Sequence, residues 1–306
     1  MSLIARARRV VVVSALAGLV AALPSHGAAT PPAGSRLDVV AAESFWGSIA
    51  AQLGGDRVSV TSIVVSPDTD PHEYEPTASD ARAVAASRLA IVNGIGYDNW
   101  ASQLLAANPS SSRIVLDVGE RLGLKVGDNP HQWYSPSSVK SVVNAVASSL
   151  TRADPAGRAY FAARRRRFVS KSLAWYDALR AEIRKDFAGV AVGYSESIFQ
   201  PLGLDLGLRL LTPSGFVKAI AEGTDVSARD TETVERQARD RAIKVWVFNS
   251  QNATPEVQRV NAIARASNIP IVTITETLAP ATLDFEQWQD AELERLLAAL
   301  RKATGR

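Results

Sequence analysis

Residues 154–187, DPAGRAYFAARRRRFVSKSLAWYDALRAEIRKDF, differ most from the rest of the chain. Asp154 can cap a helix, and Pro155 suits the first helical position. The apolar residues that follow recur at steps of four or seven, as one stripe on a helix does: Phe161, Phe168, Trp175, Leu179, Ile183 and Phe187. With no proline from Ala156 to Ala188, the pattern predicts a helix about 50 Å long, which suits a strut between two domains.

On each side of this helix, short apolar runs alternate with helical patterns. The runs lie at 37–44, 58–65, 88–94 and 113–118 before the helix, and at 189–196, 208–213, 243–250 and 269–277 after it. Such alternation is typical of parallel sheets that are covered by helices on both faces. We therefore predict an α/β fold of two lobes with mainly parallel sheets, joined by one long rigid linker helix.

The N-terminus predicts export. A basic segment, MSLIARARR, precedes the apolar run VVVVSALAGLVAALP and the small residues of SHGAA. This order is typical of a secretory signal peptide, and the apolar run is short for the alternative, a retained membrane anchor. The predicted boundaries are a signal peptide at 1–28, an N-terminal lobe at 36–153, the linker helix at 154–188 and a C-terminal lobe at 189–306.

Charge and cysteine content exclude several functions. The signal peptide carries three arginines and no acid, so its removal lowers the net charge from +3 to zero and removes the argument for nucleic-acid binding. The chain contains no cysteine, which excludes thiolate metal sites, cysteine nucleophiles and a lipid-attachment cysteine. We expect a mature protein that is free in the periplasm or secreted.

Two histidines remain in the predicted mature chain, and both lie in proline-containing loops. His72 lies in DPHEYEP after the predicted strand 58–65, and His131 lies in DNPHQWYSP after the predicted strand 113–118. Neither occupies an apolar stripe, so a turn or surface histidine is the alternative, rather than a core histidine. Because ligands bind at the carboxyl ends of strands in open α/β sheets, both are candidate metal ligands.

Two acids of the second lobe also lie at the carboxyl ends of predicted strands. Glu196 ends the predicted strand 189–196, and Glu276 lies near the end of 269–277. A carboxylate at the buried end of a strand needs a partner, because an unpaired buried charge is costly. A helix cap or a salt bridge is the alternative for each residue, and Glu196 directly precedes a helical pattern.

Two neutral imidazoles and two carboxylates suit one divalent transition metal ion. The sequence contains no H-E-x-x-H, no G-x-S-x-G and no Walker A motif, so these signatures of zinc hydrolases, serine hydrolases and P-loop ATPases are missing. We assign no catalytic residue.

Four short motifs resemble those of the zinc/manganese-type solute-binding proteins of bacterial ABC importers. They are D-P-H-x-Y-x-P-T at 70–77, N-P-H-x-W at 129–133, E-x-x-F at 196–199 and T-E-T at 275–277. The resemblance extends from about residue 37 to 300. It implies two α/β lobes on one long helix, with a metal in the cleft between them. The ligands that it implies are His72, His131, Glu196 and Glu276.

The sequence departs from the family pattern in several places. Relatives use His or Glu at the third ligand, and Glu196 resembles the manganese-type members. Relatives place Asp where this chain has Glu276, and the acidic, His-rich loop of many zinc members is absent. The carboxylates favour manganese or iron slightly, whereas the Irving–Williams order favours tighter zinc binding in vitro.

The resemblance implies an extracytoplasmic carrier that binds one Mn²⁺ or Zn²⁺ as cargo and delivers it to an ABC transporter permease in the membrane. We expect a monomer that binds no nucleic acid and is not an enzyme. The main alternative is a secreted metal-dependent hydrolase that uses the same four residues, with Asp70, Glu73 or Glu75 as general base. A structural or adhesin-like role and the carriage of siderophores or cobalamin are further alternatives.

Overall fold

A computed structural model describes residues 36–67, 69, 71 and 74–306. The predicted signal peptide at 1–28 and the predicted ligand His72 lie outside the described residues. None of the helices in the described part combines the length and the apolar character needed to cross a membrane.

The first lobe is built on a four-stranded sheet. Its strands are β1 (Leu37–Glu43), β2 (Val58–Val64), β3 (Leu89–Val92) and β4 (Ile114–Asp117), and its helices are α1 (Ser44–Gly54), α2 (Ala78–Ala86), α3 (Asn99–Ala107), α4 (Val118–Arg121) and α5 (Pro136–Ala153). The strand order is β2-β1-β3-β4, and every pair is parallel. The central strands β1 and β3 are largely buried, which explains their continuous apolar sequence.

A helical segment joins the two lobes, as predicted. It consists of a 3-10 turn (Pro155–Gly157), α6 (Arg158–Arg167), a π turn (Phe168–Ser172) and α7 (Ala174–Phe187). The side chain of Asp154 accepts a hydrogen bond from the amide of Gly157 at 3.2 Å, so the predicted cap is present. The connector differs from the prediction in its middle, where the π turn interrupts the α-helix.

The π turn decides which aromatic side chain faces the core. Its hydrogen bond runs from Leu173 N to Phe168 O at 3.0 Å, and it adds one residue relative to an α-helical turn. The buried stripe therefore passes from Phe168 to Tyr176, a step of eight residues, where the sequence pattern predicted seven. Tyr176 is fully buried, whereas Trp175 is 54% exposed, so the predicted place of Trp175 in the stripe was wrong.

The second lobe repeats the architecture of the first. Its strands are β5 (Ala191–Tyr194), β6 (Arg209–Leu210), β7 (Val245–Asn249) and β8 (Ile271–Ile274), and its helices are α8 (Gln200–Asp205), α9 (Ser214–Ala221), α10 (Ala228–Arg239), α11 (Pro255–Ala266) and α12 (Phe285–Thr304). The order β6-β5-β7-β8 is again fully parallel. The predicted α/β fold is confirmed; α4 and α9 were not predicted, and α4, with four residues, is too short to show a helical period.

The two lobes share one hydrophobic core. A single apolar cluster includes Phe45 and Trp133 from the first lobe, Phe161 from α6, and Phe199 and Trp288 from the second lobe. The rings of Phe45 and Trp133 stack with centroids 4.1 Å apart. Burial of each large apolar side chain contributes about 1.5–3 kcal/mol, so this shared core holds the lobes together strongly.

The π turn predicts an asymmetry between two single-residue deletions. Deletion of exposed Ser170 should convert the π turn into an α-helical turn and restore a step of seven between two buried rings. Deletion of exposed Ala178 should rotate Leu179 and the rest of the α7 stripe away from the core. Both deletions should lower the free energy of unfolding. We expect the loss for the Ala178 deletion to exceed the loss for the Ser170 deletion by about 3 kcal/mol or more. Urea denaturation measures the difference, and equal losses would contradict this account of the π turn.

Candidate metal site

The site lies beyond the carboxyl ends of strands in both sheets, each of which has a point where the chain order reverses. Strands β2 and β3 flank β1, and β6 and β7 flank β5; ligands bind in the crevice outside the carboxyl ends of strands at such points. Glu196 and Glu276 each lie two residues beyond a strand end, after β5 and β8. His131 lies in the loop after β4, directly before a 3-10 turn at Gln132–Tyr134.

These three predicted ligands meet in one place. Each offers one ligand atom, and the three atoms lie within 4.8 Å of one another. The Nε2 atom of His131 is 3.7 Å from Oε1 of Glu196. All three residues are at most 3% exposed. The fold therefore brings a histidine from the first lobe together with two acids from the second.

The fourth predicted ligand, His72, lies outside the described residues, so its place stays a prediction. The described residues beside it contact the first lobe. The carbonyl of Pro71 accepts a hydrogen bond from Trp100 Nε1 at 2.9 Å, and the ring of Tyr74 packs edge-on against Trp100 at 4.9 Å. The chain on both sides of His72 is thus attached to α3.

Asn129 fixes the tautomer of His131. The Nδ2 group of Asn129 donates to the carbonyl of Ser197 at 2.8 Å, which assigns Oδ1 as the acceptor. Oδ1 lies 2.8 Å from Nδ1 of His131 and also accepts from the His131 backbone amide at 3.0 Å. Nδ1 therefore carries a proton, and in the neutral imidazole Nε2 keeps the lone pair that a metal ligand must offer. Sequence reasoning missed this role of Asn129.

Asn249 holds both carboxylates. Its Nδ2 group donates to Oε2 of Glu196 at 2.9 Å and to Oε1 of Glu276 at 2.8 Å. Its Oδ1 atom accepts from the amide of Gln251 at 3.0 Å, which orients the side chain. Asn249 is fully buried at the end of β7. The strand-end criterion that selected the two acids also selects this residue, but sequence reasoning considered only histidines and acids.

Tyr97 connects the first lobe to Glu276. Its hydroxyl donates to Oε2 of Glu276 at 2.7 Å. Burial, followed by the charge of Glu276, raises the pKa of Tyr97 well above its usual value, so the hydroxyl keeps its proton. Asp98 holds the loop before Tyr97 by accepting from the amides of Asn93 (2.7 Å) and Gly94 (2.8 Å). No sequence motif pointed to Tyr97.

Two further acids lie buried near the site in the first lobe. Glu43 ends β1 and is fully buried, and Asp98 is 1% exposed. Burial and then the charge of Asp98 raise the pKa of Glu43 well above its usual value, and burial raises the pKa of Asp98 as well. The elevated pKa favours the neutral form of Glu43 and limits the negative charge beside Glu276.

The donor set suits a divalent transition metal ion. One imidazole nitrogen and two carboxylates are ligands that zinc and manganese accept. Asn249 and Tyr97 are neutral donors, so they order the carboxylates without cancelling their charge. A dication would offset the two negative charges, which otherwise repel each other inside the protein.

Comparison with known proteins identifies a family and relatives whose names refer to metal binding or metal uptake. The sequence matches the family described as "Zinc-uptake complex component A periplasmic" over residues 39–299. It is 31% identical to the manganese-binding lipoprotein MntA of Halalkalibacterium halodurans over 157 residues, which are 50% of this chain and 51% of that relative. It is 25% identical to the metal ABC transporter substrate-binding lipoprotein ScbA of Streptococcus cristatus over 281 residues, 86% of each chain.

A solved structure shares the fold. The manganese-bound periplasmic metal binding protein from Candidatus Liberibacter asiaticus superposes with a TM-score of 0.70 at 20% identity, over 87% of this chain and 100% of that chain. The family match covers most of the chain and agrees with the resemblance that its four motifs predicted. The chain therefore belongs to the zinc-uptake component A family, the periplasmic zinc- and manganese-type solute-binding proteins of ABC importers.

Proposed function

We propose that this protein captures one divalent transition metal ion, manganese or zinc, and delivers it to an ABC transporter permease. The proposed ligands are His131, Glu196 and Glu276, together with His72. The observation that carries the proposal is the buried cluster of one histidine and two acids, drawn from both lobes, whose ligand atoms lie within 4.8 Å of one another.

The side chains are prepared for a cation before it arrives. His131 offers the lone pair of Nε2, because its Nδ1 proton is held by Asn129. Glu196 and Glu276 supply the negative charge, and Asn249 keeps one oxygen of each in a fixed place. Preorganised ligands bind more tightly, since less conformational freedom is lost on binding. The cargo ion joins side chains of both lobes, and we propose that it lies in a cleft between them.

The names of the relatives support the transport role. One relative is called a manganese-binding lipoprotein and another a metal ABC transporter substrate-binding lipoprotein. We propose that this chain works in the periplasm as a monomer that docks on its permease. The sequence contains no cysteine, so the lipid attachment that those names indicate has no cysteine here to carry it. The two carboxylates favour manganese as the physiological cargo, although zinc should bind tightly in vitro.

The hydrolase alternative gains no support. Of its three proposed general bases, Asp70 and Glu73 lie outside the described residues, and Glu75 is exposed. The family to which the chain belongs is named for metal uptake.

Metal titration tests the proposed ligands. We expect the metal-free protein to bind one equivalent of manganese or zinc, and His131→Ala to weaken binding by at least about 100-fold, because it removes a ligand. Glu196→His should shift the preference toward zinc, since imidazole is the softer ligand. Calorimetric titration of each variant with both ions gives the affinities, and exposed Glu232→Gln is the control.

Two outcomes would overturn the assignment. Wild-type protein that binds neither ion stoichiometrically would exclude the proposed function. Binding that survives His131→Ala unchanged would exclude His131 as a ligand.

The bridging amide of Asn249 gives a second prediction. Asn249→Ala should weaken metal binding by roughly 10–100-fold, because Glu196 and Glu276 lose a shared donor. Asn249→Asp should weaken it at least as much, since a carboxylate cannot donate and repels its neighbours. The matched control is Asn144→Ala, because Asn144 is exposed on α5 and accepts its hydrogen bond from Arg165, which is not a residue of the site. Wild-type affinity in Asn249→Ala would show that other contacts order the acids.

A further inference from the structure

A third acid of the second lobe is buried away from the proposed ligands. Glu292 lies on α12 and is only 2% exposed. It faces Tyr134 of the first lobe and Thr275 and Trp288 of the second. Burial of an ionised carboxylate is unfavourable unless its charge is well compensated, so the surroundings of Glu292 call for an explanation.

The two oxygens of Glu292 have different partners. Oε1 accepts from the amide of Thr275 at 3.1 Å and from Trp288 Nε1 at 3.1 Å. Oε2 lies 2.5 Å from the hydroxyl oxygen of Tyr134. That hydroxyl also lies 2.8 Å from the carbonyl oxygen of Thr275. The hydroxyl of Tyr134 therefore stands between two oxygen atoms that ordinarily accept.

The number of protons available to these contacts decides whether the Glu292 carboxyl group is ionised or protonated. A tyrosine hydroxyl has one proton and can donate it fully to only one acceptor. If Glu292 is ionised, either its Oε2 or the Thr275 carbonyl faces the Tyr134 oxygen without a proton between them. If Oε2 carries a proton, Glu292 donates to Tyr134 and Tyr134 donates to Thr275. Every short contact is then a hydrogen bond, as buried polar groups require.

The charges around Glu292 agree with that state. Two charged or titratable side chains influence the carboxyl group of Glu292: Tyr134 from the first lobe and Arg295 on the same helix. Arg295 is 3.8 Å from Oε1 with its side chain 46% exposed, so water screens it. Burial outweighs these contacts and raises the pKa of Glu292 to about 7.

We propose that protonated Glu292 is a positioning residue, which anchors Tyr134 to Thr275 and thereby fixes His131 relative to Glu276. Tyr134 follows His131 by three residues and ends the 3-10 turn that His131 directly precedes, and Thr275 directly precedes Glu276. The hydrogen bonds from Glu292 through Tyr134 to Thr275 therefore join the loop that holds His131 to the strand end that holds Glu276. The effect of Glu292 on metal binding rests on the proposed function. The hydrogen bonds among Glu292, Tyr134 and Thr275 do not depend on that proposal.

The conservative variant Glu292→Gln tests the protonation state. Its amide NH₂ can donate to Tyr134, and its carbonyl can accept from Thr275 and Trp288, as a protonated carboxyl does. In the wild type, the proton's contribution to stability is fully present below about pH 4.5, the usual pKa, and is lost as the pH rises to about 7. Relative to the wild type, Glu292→Gln should therefore gain stability between pH 4.5 and 7 and hold that gain above pH 7.

Denaturant unfolding across pH 4.5–8 measures this difference. Glu232→Gln is the matched control, because the side chain of Glu232 is exposed and lies on α10, outside the contacts of Glu292, and it should follow the wild-type profile. A Glu292→Gln variant that is less stable than the wild type at pH 8 would overturn the proposal, since it would show an ionised carboxylate held by Arg295. Parallel profiles for Glu292→Gln and the wild type would overturn it as well.

Metal affinity at pH 7 tests the positioning role. Tyr134→Phe and Glu292→Leu each remove a hydrogen bond between Glu292, Tyr134 and Thr275. Each variant should weaken manganese binding by about tenfold, the equivalent of one net hydrogen bond. Glu292→Gln should restore binding to within about twofold of the wild type. Unchanged affinity in both Tyr134→Phe and Glu292→Leu would exclude the positioning role. If the wild type binds no metal, the proposed function fails, while the unfolding profiles still decide the state of Glu292.

Discussion

Two carboxylates, Glu196 and Glu276, are buried side by side, and the structure of the site depends on what that burial requires. Like charges in a medium of low dielectric repel strongly unless donors or a cation offset them. Asn249 supplies one donor to each acid, and Tyr97 supplies another to Glu276. These donors are neutral, so the negative charge remains available to a cation. The site is thereby ordered in advance and attracts the ion that would complete it.

Contacts between the lobes keep this arrangement in register. The apolar core runs continuously through both sheets and the helices between them. Several polar contacts join the first lobe to the second near the site: among them, Asn129 bonds to Ser197, Tyr97 to Glu276, and Tyr134 to Thr275. Each contact lies within three residues of a proposed ligand or involves one directly. A small shift between the lobes would therefore disturb several ligand-positioning contacts at once.

Glu43, Asp98 and Glu292 are buried acids outside the proposed ligand set. Burial raises the pKa of Glu43 and of Asp98 in the first lobe and of Glu292 in the second. Hydrogen bonds from Thr275 and Trp288 satisfy one oxygen of Glu292 without adding charge. The raised pKa of Glu43 favours its neutral form and limits the negative charge beside Glu276, whereas Asp98 supplies the charge that contributes to this shift.

The sequence by itself determined the fold class, the eight strands, the helical connector and four candidate ligands, of which three meet in space. These features follow from local patterns: alternation of apolar runs, and polar residues placed where strands end. Only the tertiary structure decided that Tyr176 and not Trp175 enters the core, because a π turn changes the period of the stripe. It also decided the roles of Asn129, Tyr97, Asn249 and Glu292. Their partners lie from two to 179 residues away along the chain, and a hydrogen bond depends on distance in space.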